Sequence, residues 1–164
     1  MRQVRAEATR RPTMNRRSGA QQRVPGALLK RLAQSRVGRL ATLDADGRPH
    51  VVPVCFVYFG NAFYTALDQK PKRVSPERLV RVKNIRARPR VALLIDEYRE
   101  DWSRLWYVLI RATAQLVPTS AHEERARALR KLRAKYQQYG PGMLPDDAPI
   151  IRIRPERATS WGRI

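Results

Sequence analysis

Hydrophobic and polar residues follow a strand-like pattern through much of the chain. Residues 38–67, "GRLATLDADGRPHVVPVCFVYFGNAFYTAL", contain runs of β-branched and aromatic residues that are separated by the turn signals Asp46-Gly47 and Gly60-Asn61. This pattern predicts a three-stranded antiparallel meander. The same criteria predict three further strands, over residues 90–98, 105–118 and 148–156.

Three other segments have the spacing of apolar residues that is typical of short helices. The first, residues 25–36, follows Pro25. The second is predicted to be capped by Ser75, to begin at Pro76 and to end before Pro89. Its buried stripe is formed by Leu79, Val82 and Ile85.

The third helix is predicted from a capping box, since Ser120 and Glu123 have the required spacing. The helix is expected to run until Gly140-Pro141. Its apolar face is predicted to consist of Ala126, Leu129, Leu132 and Tyr136.

Six strands, mostly joined by short turns, and only three short helices argue against the regular strand-helix alternation of a parallel sheet. The pattern predicts a mainly β (α+β) fold, a six-stranded antiparallel barrel with short flanking helices. We expect one domain over residues 25–164, preceded by a basic, disordered tail over residues 1–24.

The charge is strongly positive, at +20 for 34 Lys and Arg against 14 Asp and Glu. The tail accounts for +6 of this charge, which leaves +14 on the rest of the chain. Such a field attracts polyanions, so nucleic-acid binding through the tail and the basic helix over residues 120–139 stays open. No apolar run is long enough to span a membrane and no secretory signal is evident, which predicts a cytoplasmic protein.

Few side chains are candidates for catalysis. The only histidines are His50, at the start of the second strand, and His122, in the first turn of a surface helix. The sequence has no nucleophile-elbow motif, no P-loop and no G-x-G-x-x-G motif. A catalytic triad is therefore not predicted, and we assign no catalytic side chain.

A metal site is also not predicted. Cys55 is the only cysteine, so an internal disulfide is excluded, and its apolar surroundings indicate a buried small side chain. Four carboxylates between the fourth and fifth strands lack the spacing of an EF-hand and have many possible cationic partners. These residues are Asp96, Glu97, Glu100 and Asp101.

A cluster of cations is the strongest candidate for a binding site. Lys70, Lys72 and Arg73 directly follow the third predicted strand. Arg81 and Asn84 are three residues apart on the next helix and therefore share one stripe of its surface. Guanidinium groups, ammonium groups and free N–H groups at a helix start all bind phosphate. We predict a phosphate between this loop and helix; a solvated basic surface is the alternative.

Several motifs resemble one family when they are taken in order. They are "GRPHVVPV", "YTALDQKPKR", "KNIRARPRV" and "YREDW". Residues 26–161 are similar to the split-barrel flavin and deazaflavin oxidoreductases, the superfamily of the pyridoxamine-phosphate oxidases, and most to its subgroup thought to use coenzyme F420. The resemblance implies a six-stranded Greek-key barrel of the FMN-binding split-barrel type and a homodimer with a cofactor in a groove between the subunits.

The resemblance also implies roles for individual residues. Val52, Pro53 and Val54 are expected beside the ring system, and Thr65 at its edge or phosphate-bearing chain. The predicted phosphate ligands are Lys70, Lys72, Arg73, Arg81 and Asn84, and Trp102 is a weaker candidate for a wall of the pocket. The implied activity is hydride transfer from reduced F420 to a small conjugated or heteroaromatic acceptor; an FMN-dependent oxidase and a cofactor carrier are the alternatives.

Overall fold

The structure, a computed structural model, describes residues 24–68, 78–140 and 142–162. Three α-helices and seven strands are present in this part of the chain. In chain order they are α1 (Gly26–Gln34), β1 (Gly38–Leu43), β2 (Pro49–Val54), β3 (Val57–Phe59), β4 (Ala62–Ala66), α2 (Val80–Ala87), β5 (Arg90–Glu97), β6 (Trp106–Leu116), α3 (His122–Lys135) and β7 (Ile150–Gly162). A short 3-10 helix, Trp102–Arg104, lies between β5 and β6.

The seven strands form one antiparallel sheet in the order β2-β1-β5-β6-β7-β4-β3. Strands β2 and β3 are thus at opposite edges of the sheet, although only Cys55 and Phe56 separate them in the chain. Three Cα–Cα steps span at most about 11 Å. The sheet must therefore curl until its edges are close together, which produces a split barrel.

The predicted antiparallel barrel is confirmed, but the prediction of six strands was wrong by one. The second predicted strand is divided at Cys55 and Phe56, so β2 pairs with β1 and β3 pairs with β4. The predicted meander was wrong for the same reason. Both predicted turns are present. At the first, the Gly47 N–H donates to the Asp44 carbonyl over 3.0 Å, and at the second, Gly60 and Asn61 have φ angles of 55° and 59°, as a tight turn between antiparallel strands requires.

The strand is interrupted at Phe56 because two side chains at the end of α3 form hydrogen bonds with the backbone N–H and carbonyl of Phe56. The Tyr136 hydroxyl accepts a hydrogen bond from the Phe56 N–H, with 2.8 Å between nitrogen and oxygen. The Lys135 ammonium donates to the Phe56 carbonyl over 3.1 Å. These contacts replace the ladder bonds of a continuous strand, so the link can cross from one edge of the sheet to the other.

The helix ends differ from the predictions. Helix α2 begins at Val80 with Leu79 as its N-cap, four residues beyond the predicted start at Pro76. Ser75, the predicted cap, lies outside the described residues, as does Pro76. Val82 and Ile85 are buried as predicted.

Helix α3 also departs from its predicted caps. Its N-cap is Ala121 and no side chain caps it, so the predicted capping box was wrong. The helix ends at Lys135, before the predicted stop at Gly140. Leu129 and Leu132 are buried as predicted, whereas Ala126 is exposed and Ala128 is buried instead, because packing against β3 and β4 sets which face turns inward.

Apolar side chains form two clusters on the two sides of the sheet. One fills the barrel and includes Phe56, Phe63 and Leu93. The other lies between α3 and strands β3 and β4.

In the described ranges no helix combines the length and apolar composition that crossing a membrane requires. Strand β7 extends to Gly162, six residues past its predicted end.

Candidate functional site

The predicted ring-contacting segment lies on the edge strand β2. Side chains alternate along it, so Pro53 is exposed while Val54 is buried and Val52 packs partly against the barrel core. Pro53 is paired with Arg39 of β1 in the register of the sheet. The exposed, conformationally rigid Pro53 thus lies between Val52 and Val54, which both pack against the core. The role of this segment beside a ring stays a prediction.

Thr65 and the end of β4 lie in a buried polar region. Thr65 is 2% exposed, and Asp68, three residues further along the chain, is 6% exposed. The Tyr139 hydroxyl donates to Asp68 Oδ2 over 3.0 Å. Burial, followed by the neighbouring Cys55 and Asp68, raises the pKa of Tyr139, so its hydroxyl stays protonated and can donate. This pair holds the chain just before the predicted phosphate-binding cations.

Arg81, on α2, is near this pair. Its Nε is buried and has no hydrogen-bond partner in the part of the chain that the structure describes. Burial lowers the pKa of Arg81 from its usual value, and the Asp68 carboxylate offsets part of that effect. Leaving a buried N–H without an acceptor is costly, so this guanidinium is suited to an anion from outside the chain.

Asn84 is one turn beyond Arg81 and is 5% exposed. Its Nδ2 donates to Thr42 Oγ1 over 3.0 Å, and that hydroxyl lies 3.3 Å from the His50 carbonyl oxygen. Asn84 thus joins α2 to β1 and β2. One N–H of the Asn84 amide is therefore used in the bond to Thr42. The contact of Asn84 with a phosphate stays a prediction.

The other predicted contacts are distributed differently. Lys70, Lys72 and Arg73 lie outside the described residues. Trp102 begins the 3-10 helix and is 73% exposed. The structure therefore links Asn84 to β1 and β2 and places Arg81 near Asp68, while Trp102 presents most of its surface to solvent.

The carboxylates at the end of β5 and in the connection that follows it interact with the protein's own donors. Asp96 pairs with Arg39. Glu97 accepts from the Trp106 indole at 2.8 Å and pairs with Arg99, and both bonds lower the pKa of Glu97. Asp101 accepts from Ser103, which lowers its pKa. Among the described residues no three acidic, His or Cys side chains are grouped as a metal site would require.

A partly buried polar cluster connects α3 to the barrel. Glu124 accepts from the Tyr64 hydroxyl and from Arg152 Nη1, each over 2.8 Å. Burial and this bond raise the pKa of Tyr64 to about 12. Tyr64 is therefore a poor proton donor. His50 is half-buried on β2, and His122 is exposed at the start of α3 as expected.

Two residues of the candidate site were missed by reasoning from the sequence. Asp68 follows β4 in "TALDQ", directly before the cationic run, which is a local signal that could have been used. Tyr139 is 71 residues away and follows α3, so no local pattern relates it to Asp68.

The family is established by comparison with known proteins. Residues 24–162 match the family model described as pyridoxamine 5'-phosphate oxidase, and the chain belongs to this family. A Streptomyces rimosus protein named 5a,11a-dehydrotetracycline/5a,11a-dehydrooxytetracycline reductase is 30% identical over 129 residues, 76% of this chain and 73% of the relative. The chain is thus a member of an oxidoreductase family with a reductase among its relatives.

Solved structures support the fold. One named F420 reductase has a TM-score of 0.62 at 23% identity, over 83% of this chain and 98% of the other. An FAD-binding protein from Mesorhizobium loti has a TM-score of 0.61 at 25% identity, over 84% of this chain and 94% of the other. The split barrel is shared by these proteins.

Proposed function

We propose that this protein is a reductase that uses coenzyme F420 to transfer a hydride to a small conjugated or heteroaromatic acceptor. The observation that carries the proposal is the 30% identity to a reductase over about three quarters of both chains. The choice of F420 is supported by the fold shared with an F420 reductase and by the net charge of +20, which suits an acidic cofactor.

The residues present fit a phosphorylated cofactor. Arg81 has a buried N–H without an acceptor in the described part of the chain, and a phosphate oxygen could supply one. We propose that Arg81 and Asn84 bind this phosphate together with Lys70, Lys72 and Arg73, and that Thr65 contacts the adjoining chain. Val52, Pro53 and Val54 are proposed to support the ring, with Trp102 as a weaker contact.

When bound, the cofactor supplies the hydride, which explains why no nucleophile or triad is needed. The protein's own residues bind and orient the ring and exclude water from one side of it. We assign the proton that completes the reduction to solvent, since Tyr64 is bonded to Glu124 and its pKa is raised to about 12.

Parallel titrations test the proposal. Purified protein is titrated with F420 and with FMN, and binding is followed by cofactor fluorescence. We expect saturable F420 binding below about 100 μM, within the usual range for small-molecule ligands of enzymes. Reduced F420 in the complex should then be oxidised when a conjugated acceptor is added. Saturation by FMN alone would instead favour the FMN-dependent alternative, and binding of neither would refute both.

We also propose that the protein is a homodimer. The outer face of the sheet is apolar in places where a solvated barrel is usually polar. Val51 is 58% exposed and Trp161 is 55% exposed, and Trp161 stacks on Tyr107 with 6.1 Å between the rings. A second copy is the partner that would cover this face. Sedimentation should give twice the mass of one chain, and Trp161→Arg should shift it towards the monomer.

Nucleic-acid binding is the second candidate, and one feature of α3 favours it. The exposed side of this helix presents Arg127, Arg130 and Lys131, none of which forms an ion pair within the described ranges. Binding of this kind must weaken steeply as salt is added. An RNA or DNA titration at two salt concentrations tests it.

The predicted cytoplasmic location stays a prediction.

A further inference from the structure

A second concave surface is lined by none of the residues that surround Arg81 in the candidate site. It is a cleft of about 590 Å³ between the end of α1, the start of β1 and the connection from β5 to β6. This volume is within the range of clefts that bind drug-sized molecules. Val37, which is 43% exposed, and the nearly buried Trp106 are its large apolar lining residues.

Cations dominate the lining of this cleft. Five arginines and two carboxylates contribute to it: Arg31, Arg36, Arg39, Arg99, Arg104, Asp96 and Glu97. Two of the arginines are matched directly, since Arg39 pairs with Asp96 and Arg99 pairs with Glu97.

The remaining three guanidinium groups are in excess over the acids. Arg31 lies over the Trp106 ring, 5.2 Å from its centroid, and is 3.9 Å from Glu97, which Arg99 already neutralises. Arg36 donates to the Lys135 carbonyl, which leaves its charge uncompensated. Arg104 is exposed and forms no hydrogen bond or ion pair through its side chain within residues 24–68, 78–140 and 142–162. The cleft therefore attracts negative charge.

The cleft is adjacent to the strand expected to support the ring. Arg39 lines the cleft and is the direct cross-strand partner of Pro53. Partners in antiparallel strands are about 5 Å apart at their Cα atoms. A ligand in the cleft is thus one strand away from the proposed ring position.

We propose that this cleft binds the acceptor, and that the acceptor is a planar conjugated anion such as an enolate, a phenolate or a carboxylate. The proposal rests on the proposed function, because it places the acceptor beside the ring. Arg36 and Arg104 supply the unmatched charge, and the planar Arg31 guanidinium, which lies over the Trp106 ring, provides a flat cationic group for a conjugated ligand.

Calorimetry with a matched pair of probes tests the cleft without cofactor. The full-length protein is titrated with 2-naphthoate and with the neutral, nearly isosteric 2-naphthamide. We expect naphthoate to bind about tenfold more tightly, and Arg36→Gln/Arg104→Gln to reduce this preference below about threefold. Arg104→Gln alone should have an intermediate effect. Arg130→Gln, an exposed change on α3, should keep the wild-type preference.

Equal affinities of the wild-type protein for the two probes would overturn the proposal, as would a double variant with the wild-type preference. A second titration uses protein saturated with F420. Naphthoate should still bind to this complex. Loss of naphthoate binding, together with weaker F420 binding in the double variant, would assign the cleft to the acidic tail of the cofactor and overturn the acceptor assignment. Failure of F420 to bind at all would refute the proposed function, while the cofactor-free titrations would still report on the cleft.

Discussion

Two arginines on different elements, α2 and β7, show how similar side chains can have different roles. Arg81 on α2 and Arg152 on β7 each have a buried Nε without a partner in the described part of the chain. Arg152 is nevertheless neutralised, because its Nη1 is 2.8 Å from both carboxylate oxygens of Glu124. Arg81 forms no ion pair with any described carboxylate, although Asp68 is near enough to influence its pKa.

The difference separates a structural cation from one that is available to a ligand. Arg152 has its counter-ion within the protein, where Glu124 also accepts from Tyr64 and so ties α3 to the barrel. Arg81 is half-buried, and although the Asp68 carboxylate acts on its charge, no described residue accepts a hydrogen bond from its Nε. Removing Glu124, the partner of Arg152, should therefore lower stability, whereas replacing Arg81 itself should weaken cofactor binding.

The largest effect is expected from Glu124→Gln. This change removes the counter-ion of Arg152, whose side chain is 12% exposed, and leaves a nearly buried charge unpaired. We expect a loss of about 3 kcal/mol in the free energy of unfolding, measured by urea denaturation. Glu123→Gln, at an exposed neighbouring position, is the matched control and should change stability by less than about 0.5 kcal/mol. Equal effects of the two changes would show that Arg152 does not depend on Glu124.

Arg81→Gln is expected to act on binding rather than on stability. A hydrogen bond to a charged group contributes about 1.5–3 kcal/mol, so F420 or FMN should bind about 10- to 100-fold more weakly. The unfolding free energy should change by less than about 1 kcal/mol, since no internal ion pair is lost. Arg86→Gln, an exposed change on the same helix, is the control. A variant that binds riboflavin and FMN with unchanged relative affinity would show that Arg81 does not contact the phosphate.

Tyr64→Phe should have a smaller effect that depends on pH. Loss of the bond to Glu124 is expected to cost about 1 kcal/mol at neutral pH. The folded-state pKa of Tyr64 is about 12, above the usual value of 10.0, so the unfolded chain loses its proton first as the pH rises. Wild-type stability should therefore fall between about pH 10 and pH 12, and the fall should be shallower in Tyr64→Phe. Identical slopes in thermal unfolding at these pH values would contradict the raised pKa.

The smallest effect is expected from Trp102→Ala. Because this side chain is 73% exposed, the change should alter stability by less than about 0.5 kcal/mol. Cofactor affinity should fall by about threefold if the indole covers one edge of the ring. Unaltered affinity would remove Trp102 from the site, and a large loss of stability would show that it anchors the loop instead.

Local signals predicted much of the fold. The turns at Asp46-Gly47 and Gly60-Asn61 and the strands β5 and β6 could be found because turn residues and alternation act over a few residues. The division at Cys55 and Phe56 could not, since the run "VVPVCFVYF" contains no turn signal. Its cause is a hydrogen bond to Tyr136, which is 80 residues away in the chain.

The helix caps and the candidate site also depend on contacts between residues that are distant in the chain. Ser120 has the spacing of a capping box, but α3 begins at His122 with Ala121 as its N-cap, and no side chain caps it. Arg81 and Asn84 were found from their helical spacing, whereas the Asp68–Tyr139 bond and the arginine-lined cleft depend on how distant elements meet. Sequence spacing identified side chains able to bind phosphate, and only the structure shows which of them already has a partner.

A crystal structure of the protein with bound F420 tests the central claim most directly. We predict that a phosphate oxygen lies within hydrogen-bonding distance of Arg81 Nε, with the ring beside Pro53 of β2. A well-occupied cofactor whose phosphate contacts other residues, with Arg81 Nε still lacking an acceptor, would contradict it.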